Sequence, residues 1–91
     1  MNKKLCVSNN IEIMEMGDTM VIKQNTNDTV HILNATASML FEFLRQSLAL
    51  SDIYSKFGET FTDMEHEVMV KDIAEMIEEF LTKALIYEVD E

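Results

Sequence analysis

The sequence has no proline and no tryptophan, only two glycines, and a single cysteine, Cys6. One thiol cannot form an intramolecular disulfide, so the cysteine content gives no indication of an oxidising compartment. Gly17 and Gly58 stand too far apart to form a glycine-rich phosphate-binding loop. No run approaches the ~18 apolar residues that span a bilayer, and the start lacks the apolar segment of a signal peptide. We therefore expect a cytoplasmic protein with no membrane anchor.

Basic residues are also scarce, since seven Lys and Arg stand against seventeen Asp and Glu, for a formal net charge of −10. The imbalance is concentrated in residues 59–91, where eleven acids meet only Lys71 and Lys83. Binding to nucleic acids and to anionic membranes rests on phosphate neutralisation by Lys and Arg, so we expect neither partner. The acidity is typical of a solvated face that keeps a small protein soluble. A surface that attracts a basic partner stays open beside that interpretation.

The overall composition predicts one small globular domain. Of its 91 residues, 47% are hydrophobic and 26% are charged, which are values typical of folded proteins. We place the domain at residues 11–91 and expect residues 1–10 to form an N-terminal tail. Eight residues are methionines, whose flexible side chains fill ordinary cores and also adapt to irregular partners.

Residues 11–33 have the pattern of three short strands. Residues 11–16 alternate in polarity with a period of two, and Gly17 begins a turn before the next apolar run. Residues 25–28 are turn formers, and residues 29–33 make a third run rich in β-branched side chains. Two turns between three such runs predict an antiparallel meander.

After residue 33 the apolar period changes to that of a helix. Asn34 suits an N-cap, because its side chain can accept a hydrogen bond from the first turn. We predict a second helix from Ser51 that ends at Gly58, and a third over residues 63–83 that opens with the capping box Thr62-x-x-Glu65. Residues 85–89 either add a short strand or pack back on the core. The predicted fold class is therefore α+β, a three-stranded antiparallel N-terminal sheet followed by three helices, as in a winged helix-turn-helix.

No set of residues predicts catalysis, metal binding or a cofactor. His66 lies between Glu65 and Glu67, but consecutive helical residues point about 100° apart and cannot share one ion. Cys6 lies in the predicted tail, whereas a cysteine nucleophile needs a histidine base and a cleft. We therefore expect no catalytic residue and no metal site.

A free sheet edge is the stronger candidate for a function. A three-stranded sheet has two edges, and a short domain has little chain left to cover both. If residues 29–33 form an edge, their free backbone groups can pair with an added peptide strand. The last helix would form the other wall of a groove, lined by Met69 and Met76. The alternative is that these two methionines pack in the core.

The string Val30-His31-Ile32-Leu33-Asn34-Ala35-Thr36-Ala37 resembles the hxLNxxA signature of the PQQ-synthesis protein D family (PqqD-like proteins), the type case of the RiPP recognition element. The resemblance extends over residues 11–86. It includes a Gly17-Asp18 turn, the helical segment at residues 39–44, the helix start at Ser51-Asp52-Ile53 and Asp72-Ile73 in the last helix. The chain departs from the family at Arg45-Gln46-Ser47, where Asp-Gly is common, and at Ala84, where the family has glycine.

This resemblance implies a small non-catalytic domain of natural-product biosynthesis. Such domains bind the leader peptide of a ribosomally synthesised precursor and present it for post-translational modification. The leader would dock as an antiparallel strand against the third strand, beside the third helix. Carried over by position, the peptide-binding residues are Thr29, Val30, His31, Ile32, Leu33, Met69, Asp72, Ile73 and Met76. The implied second partner is a maturation enzyme, whether a radical-SAM enzyme, a cyclase or a leader protease.

Two other functions stay open at this point. The topology permits a winged-helix DNA-binding regulator, although residues 51–57, which would supply the recognition helix, contain only one cation, Lys56. The other function is that of a scaffold subunit that forms a homodimer through the same sheet edge.

Overall fold

The computed structural model describes residues 3–90, and it describes side chains from residue 4 onward. Within that range the chain forms five strands and three helices. Their order is β1 (Lys3–Val7), β2 (Ile11–Met16), β3 (Thr19–Gln24), β4 (Val30–Leu33), α1 (Ala35–Arg45), α2 (Leu50–Thr60), α3 (His66–Thr82) and β5 (Ile86–Asp90). The α+β prediction is confirmed, with an antiparallel sheet ordered β2–β3–β4 before the three helices.

Alternation along these strands separates a buried face of the sheet from an exposed one. On the inner face Met20, Ile22 and Leu33 are buried. They join one core with apolar side chains from all three helices, in which the Phe41 and Phe80 rings meet edge to face at 5.4 Å between centroids. Because successive strand residues point to opposite sides, the outer face receives the residues between them.

Asn34 begins α1 as predicted. Its backbone is extended, with φ −69° and ψ 176°, and its Oδ1 accepts a hydrogen bond from the Ala37 N–H at 2.9 Å. This bond satisfies one of the amide donors that a helix leaves unpaired in its first turn. The cap therefore fixes the point at which β4 ends and the helix begins.

The predicted bounds of α2 and α3 are wrong. Gly58 lies inside α2, which continues to Thr60, and α3 begins at His66 rather than at residue 63. Glu65 is the N-cap of α3, without a side-chain capping bond, so the predicted capping box does not form. Residues 61–64 make a turn instead, closed by the Met64 N–H on the Phe61 carbonyl at 3.1 Å. Stacking of Phe61 on Phe57, at 5.7 Å between ring centroids, holds that turn against α2.

The expected N-terminal tail also differs from the structure. Residues 3–7 form β1, which pairs with β5 in a second antiparallel sheet. Leu5 and Val7 pack against the core, and Ser8 donates from its backbone N–H to Leu85 and from its hydroxyl to Ala84. These contacts join the two ends of the domain. The first two residues of the predicted tail, and residue 91, lie outside the described range.

No helix within residues 3–90 is long and apolar enough to cross a membrane. In the same range, no three His, Cys, Asp or Glu side chains come together as a metal site.

Candidate peptide-binding groove

β4 is an edge of the three-stranded sheet. It pairs with β3 on one side, and no strand within residues 3–90 pairs with its other side. The register matches Ile22 with His31 and Val21 with Ile32. The strand is only four residues long, so the free edge is short.

The orientation of the backbone identifies the groups that face this edge. The Gln24 N–H donates to the Thr29 carbonyl at 2.8 Å, which makes these residues a hydrogen-bonded pair. In an antiparallel ladder such pairs alternate with pairs whose backbone groups point away from each other. His31 and Leu33 therefore direct their backbone toward β3. The N–H and C=O groups of Val30 and Ile32 face the free edge.

The side chains of β4 divide between the two faces in the same alternation. Ile32 is 75% exposed and Val30 is 54% exposed, which are high values for apolar residues. Ile32 stands in register with Val21 and, across the sheet, with Met14, so an apolar row crosses the outer face. Leu33 is buried and His31 is half-buried. Only Thr29, Val30 and Ile32 of the predicted strand contacts thus present side chains at the surface.

The second wall predicted for the groove is one face of α3. Helical spacing places Asp72, Met76 and Lys83 on one side of the helix axis. The Lys83 carbonyl accepts a hydrogen bond from the Gln24 side chain, so the C-terminal end of α3 lies against the inner face of the sheet. The His66 ring instead contacts Tyr54 of α2, at 6.4 Å between ring centroids, so α2 covers a different face of α3.

Two of the predicted helix contacts lie in the core. Ile73 has no exposed surface, and Met69 is 4% exposed. Both side chains belong to the buried cluster beneath the groove and are not at its surface. Asp72 and Met76 are half-buried, so part of each side chain is accessible. Of the two methionines, Met69 is thus buried in the core and Met76 is only half-buried.

A polar bridge that the sequence analysis missed joins the two walls at one end. Gln24 is 6% exposed, and its Nε2 donates to the Lys83 carbonyl at 2.6 Å. The ring of His31 bonds to Gln24 Oε1 through Nε2 at 2.8 Å. Burial of the ring, together with the nearby Lys83 ammonium, lowers the pKa of His31. The sequence does contain a signal for this bridge. Gln24 follows Met20 and Ile22 at a spacing of two along β3, so its amide is placed among core positions.

The α3 side of the groove is acidic. Lys83 is paired with Glu79 at 2.7 Å, and this hydrogen bond and charge lower the pKa of Glu79. Asp72 and Glu75 have no ion-pair partner within the described part of the chain. The cation of α2, Lys56, lies 6.0 Å from the centroid of the Phe43 ring. Neither helix thus presents the row of cations that phosphate binding requires.

Comparison with known proteins identifies the architecture. No family model matches the sequence, and no curated protein matches it. Two solved structures do match at the level of the fold. One is "TbiB1 in complex with the TbiA(beta) leader peptide", with a TM-score of 0.84 and 15% identity over 89% of this chain and 93% of that one. This chain has the same fold.

The second match is "lasso peptide synthetase B1 complexed with the leader peptide". Its TM-score is 0.81, and it is 17% identical over 92% of this chain and 98% of its own. At these identities the likeness is one of fold. The fold predicted from the PqqD-like resemblance is therefore confirmed, and both structural neighbours carry a leader peptide.

Proposed function

We propose that this protein binds the leader peptide of a ribosomally synthesised precursor by adding it as a strand to β4, and that it presents the precursor to a modifying enzyme. The free edge formed by the backbone of Val30 and Ile32 is the observation that carries the proposal, since unpaired strand groups are the template for strand addition. Two neighbours of the same fold, each solved with a leader peptide, support it.

The bound leader would run antiparallel to β4. Val30 and Ile32 each offer one N–H and one C=O, so the pairing makes four backbone hydrogen bonds. Because side chains alternate along a strand, one set of leader residues would lie beside Ile32 on the outer face. The other set would point toward α3, against Met76 and Asp72. Backbone pairing supplies affinity for many sequences, and the two side-chain environments supply the choice among them.

The strength expected of this interface is modest. A short strand and one helix face bury on the order of 1,000 Å², at the low end for specific complexes. Micromolar to high-nanomolar dissociation constants follow for such an interface. Binding at that strength suits a carrier that must release its precursor after modification.

The proposed role is non-catalytic, and its partners are a leader and a maturation enzyme. A radical-SAM enzyme, a cyclase and a leader protease each fit this second role. The proposed location is the cytoplasm, where a single unpaired thiol such as Cys6 is ordinary. Strand addition requires that the β4 edge is unpaired in the free protein, whereas a homodimer formed through that edge would cover it.

An NMR titration tests the proposal. The ¹⁵N-labelled protein is titrated with synthetic leader regions of precursor peptides encoded near its gene, and with duplex DNA in a parallel sample. We expect shifts at residues 29–33 and on the Asp72–Met76 face of α3. Shifts around residues 51–57 with DNA, and none with any leader, would instead identify a regulator. A stable dimer that binds no leader would identify a scaffold subunit.

A further inference from the structure

The buried bridge around Gln24 bears directly on the groove. Gln24 ends β3, His31 lies in β4 and Lys83 follows α3, so one side chain of β3 contacts both β4 and the end of α3. Burying a primary amide costs free energy unless its polar atoms are bonded. Here Nε2 and Oε1 of Gln24 each have a hydrogen-bond partner. The bridge therefore offsets the cost of burying the amide.

The chemistry of the three groups fixes the direction of each bond. The Lys83 carbonyl can only accept, so the amide nitrogen of Gln24 must face it. The amide oxygen then faces His31, and His31 Nε2 must carry the proton that is donated to it. The neutral ring is therefore held as one tautomer, and β4 is tied through Gln24 to the C-terminal end of α3. The last carbonyls of a helix have no partner within the helix, and Gln24 supplies a hydrogen-bond donor to one of them.

β4 has few other attachments. It is four residues long and paired on one side only. Its C-terminal end is held by the Ser38 hydroxyl, which donates to the Leu33 carbonyl at 3.1 Å. That bond joins β4 to α1 rather than to α3. Gln24 is thus the side chain that connects the start of the strand with the opposite wall of the groove.

We propose that Gln24 is a positioning residue, whose bridge between β4 and α3 sets the width of the groove that a leader strand enters. The inference rests on the proposed function for its consequence in binding, but the bridge itself is a property of the free protein. Without it, the start of β4 and the end of α3 separate in part of the population. Apparent affinity then falls in proportion to the fraction of molecules with the correct width.

Two substitutions of Gln24 separate the contributions of its hydrogen bonds to Lys83 and to His31. Gln24→Met has a similar length and lacks both hydrogen bonds. Gln24→Glu keeps an acceptor for His31 but cannot donate to the Lys83 carbonyl, so it loses the connection to α3 alone. Ile53→Val is the matched control, because it removes one methyl group from a fully buried side chain of α2, which belongs to neither wall. Urea unfolding ranks the stability of all three, and binding is compared where each is at least nine-tenths folded.

The first measurement needs no ligand. Spin labels at positions 29 and 75, in a Cys6→Ser background, report the distance between β4 and α3 by pulsed EPR. We expect one narrow distance distribution for the unsubstituted and Ile53→Val proteins. We expect a broader and longer one for Gln24→Met and Gln24→Glu. An unchanged distribution in Gln24→Met would overturn the proposal even if Gln24→Glu failed to fold.

The second measurement is the dissociation constant, by calorimetry, for the synthetic leader region that produces shifts in the NMR titration. We expect both Gln24 variants to weaken binding about tenfold, as a fall in the competent fraction to about one tenth requires. Ile53→Val should stay within twofold of the unsubstituted protein. Equal affinity of all proteins, or an Ile53→Val loss as large as that of Gln24→Met, would overturn the positioning role. If no leader binds the unsubstituted protein, the proposed function fails, and the distance measurement still tests the bridge.

Discussion

Proline at position 32 is the sharpest perturbation of the free edge. The alternation that begins at Gln24 and Thr29 directs the Ile32 N–H away from β3. Ile32→Pro therefore removes a donor that the folded domain does not use. Proline is tolerated on edge strands when the lost N–H faces solvent, so the variant should fold with little loss of stability.

The loss of binding can be worked out from the four backbone bonds proposed for the leader. A peptide hydrogen bond contributes about 1 kcal/mol net. The proline removes the Ile32 donor, and its ring carbon occupies the place of the leader carbonyl, so the neighbouring bond is lost as well. Two bonds amount to about 2 kcal/mol. Because 1.4 kcal/mol is a factor of ten, the dissociation constant should rise about 30-fold.

The neighbouring position supplies the control. His31 directs its N–H toward Ile22 in β3, so His31→Pro breaks the internal ladder and should destabilise the domain by about 1–3 kcal/mol, because the Ile22 carbonyl loses its donor. Calorimetry with a leader that binds the unsubstituted protein, together with urea unfolding of each variant, measures both effects. Val30→Pro should behave like Ile32→Pro. Normal affinity in both folded variants, Val30→Pro and Ile32→Pro, would refute strand addition at this edge.

Other predictions address the helix cap, the groove wall and a titrating side chain. Asn34→Ala should lower the free energy of unfolding by about 1 kcal/mol in urea, because the first turn of α1 loses its side-chain acceptor. Met76→Gln keeps the length of a half-buried residue but adds an amide, so it should weaken leader binding about fivefold in calorimetry, or by about 1 kcal/mol, with a smaller loss of stability in urea because Met76 also packs against the core; an equal affinity would place the leader elsewhere. Ile73→Ala should instead cost about 2–5 kcal/mol of stability, since Ile73 is fully buried. The pKa of His31 is lowered in the folded protein, so the unfolded chain takes up a proton first as the pH falls. Stability relative to His31→Phe should therefore be constant above the ordinary pKa of about 6.5 and decline below it; a difference that grew toward high pH would contradict the buried neutral ring.

The elements around the groove could be predicted because local signals and tertiary packing agree there. Residues 29–33 are β-branched and lead into Asn34, a capping residue followed by a helical period, and both features appear in the structure. The edge position follows from topology, since a meander places its first and last strands at the edges. The residues that face the edge could be assigned only from the hydrogen bond between Gln24 and Thr29.

The failures arise where distant contacts outweigh local propensity. β1 has no strong strand signal of its own, and it forms because β5, more than seventy residues away, supplies a partner. The Thr62-x-x-Glu65 motif has the form of a capping box, but the stacking of Phe61 on Phe57 holds residues 61–64 in a turn. Periodicity places Met69 and Met76 on one flank, yet their depths differ because they lie two turns apart along α3 and are covered to different extents there.

The pairing of β1 with β5 also brings the two ends of the described domain side by side. Lys3 lies opposite Asp90, so the polypeptide enters and leaves the fold at one place. A short glycine-serine linker would therefore join the two ends without strain, and new ends could be opened in an exposed turn such as residues 25–28. The same geometry lets the domain be inserted as a unit into a surface loop of a host enzyme, with both junctions side by side.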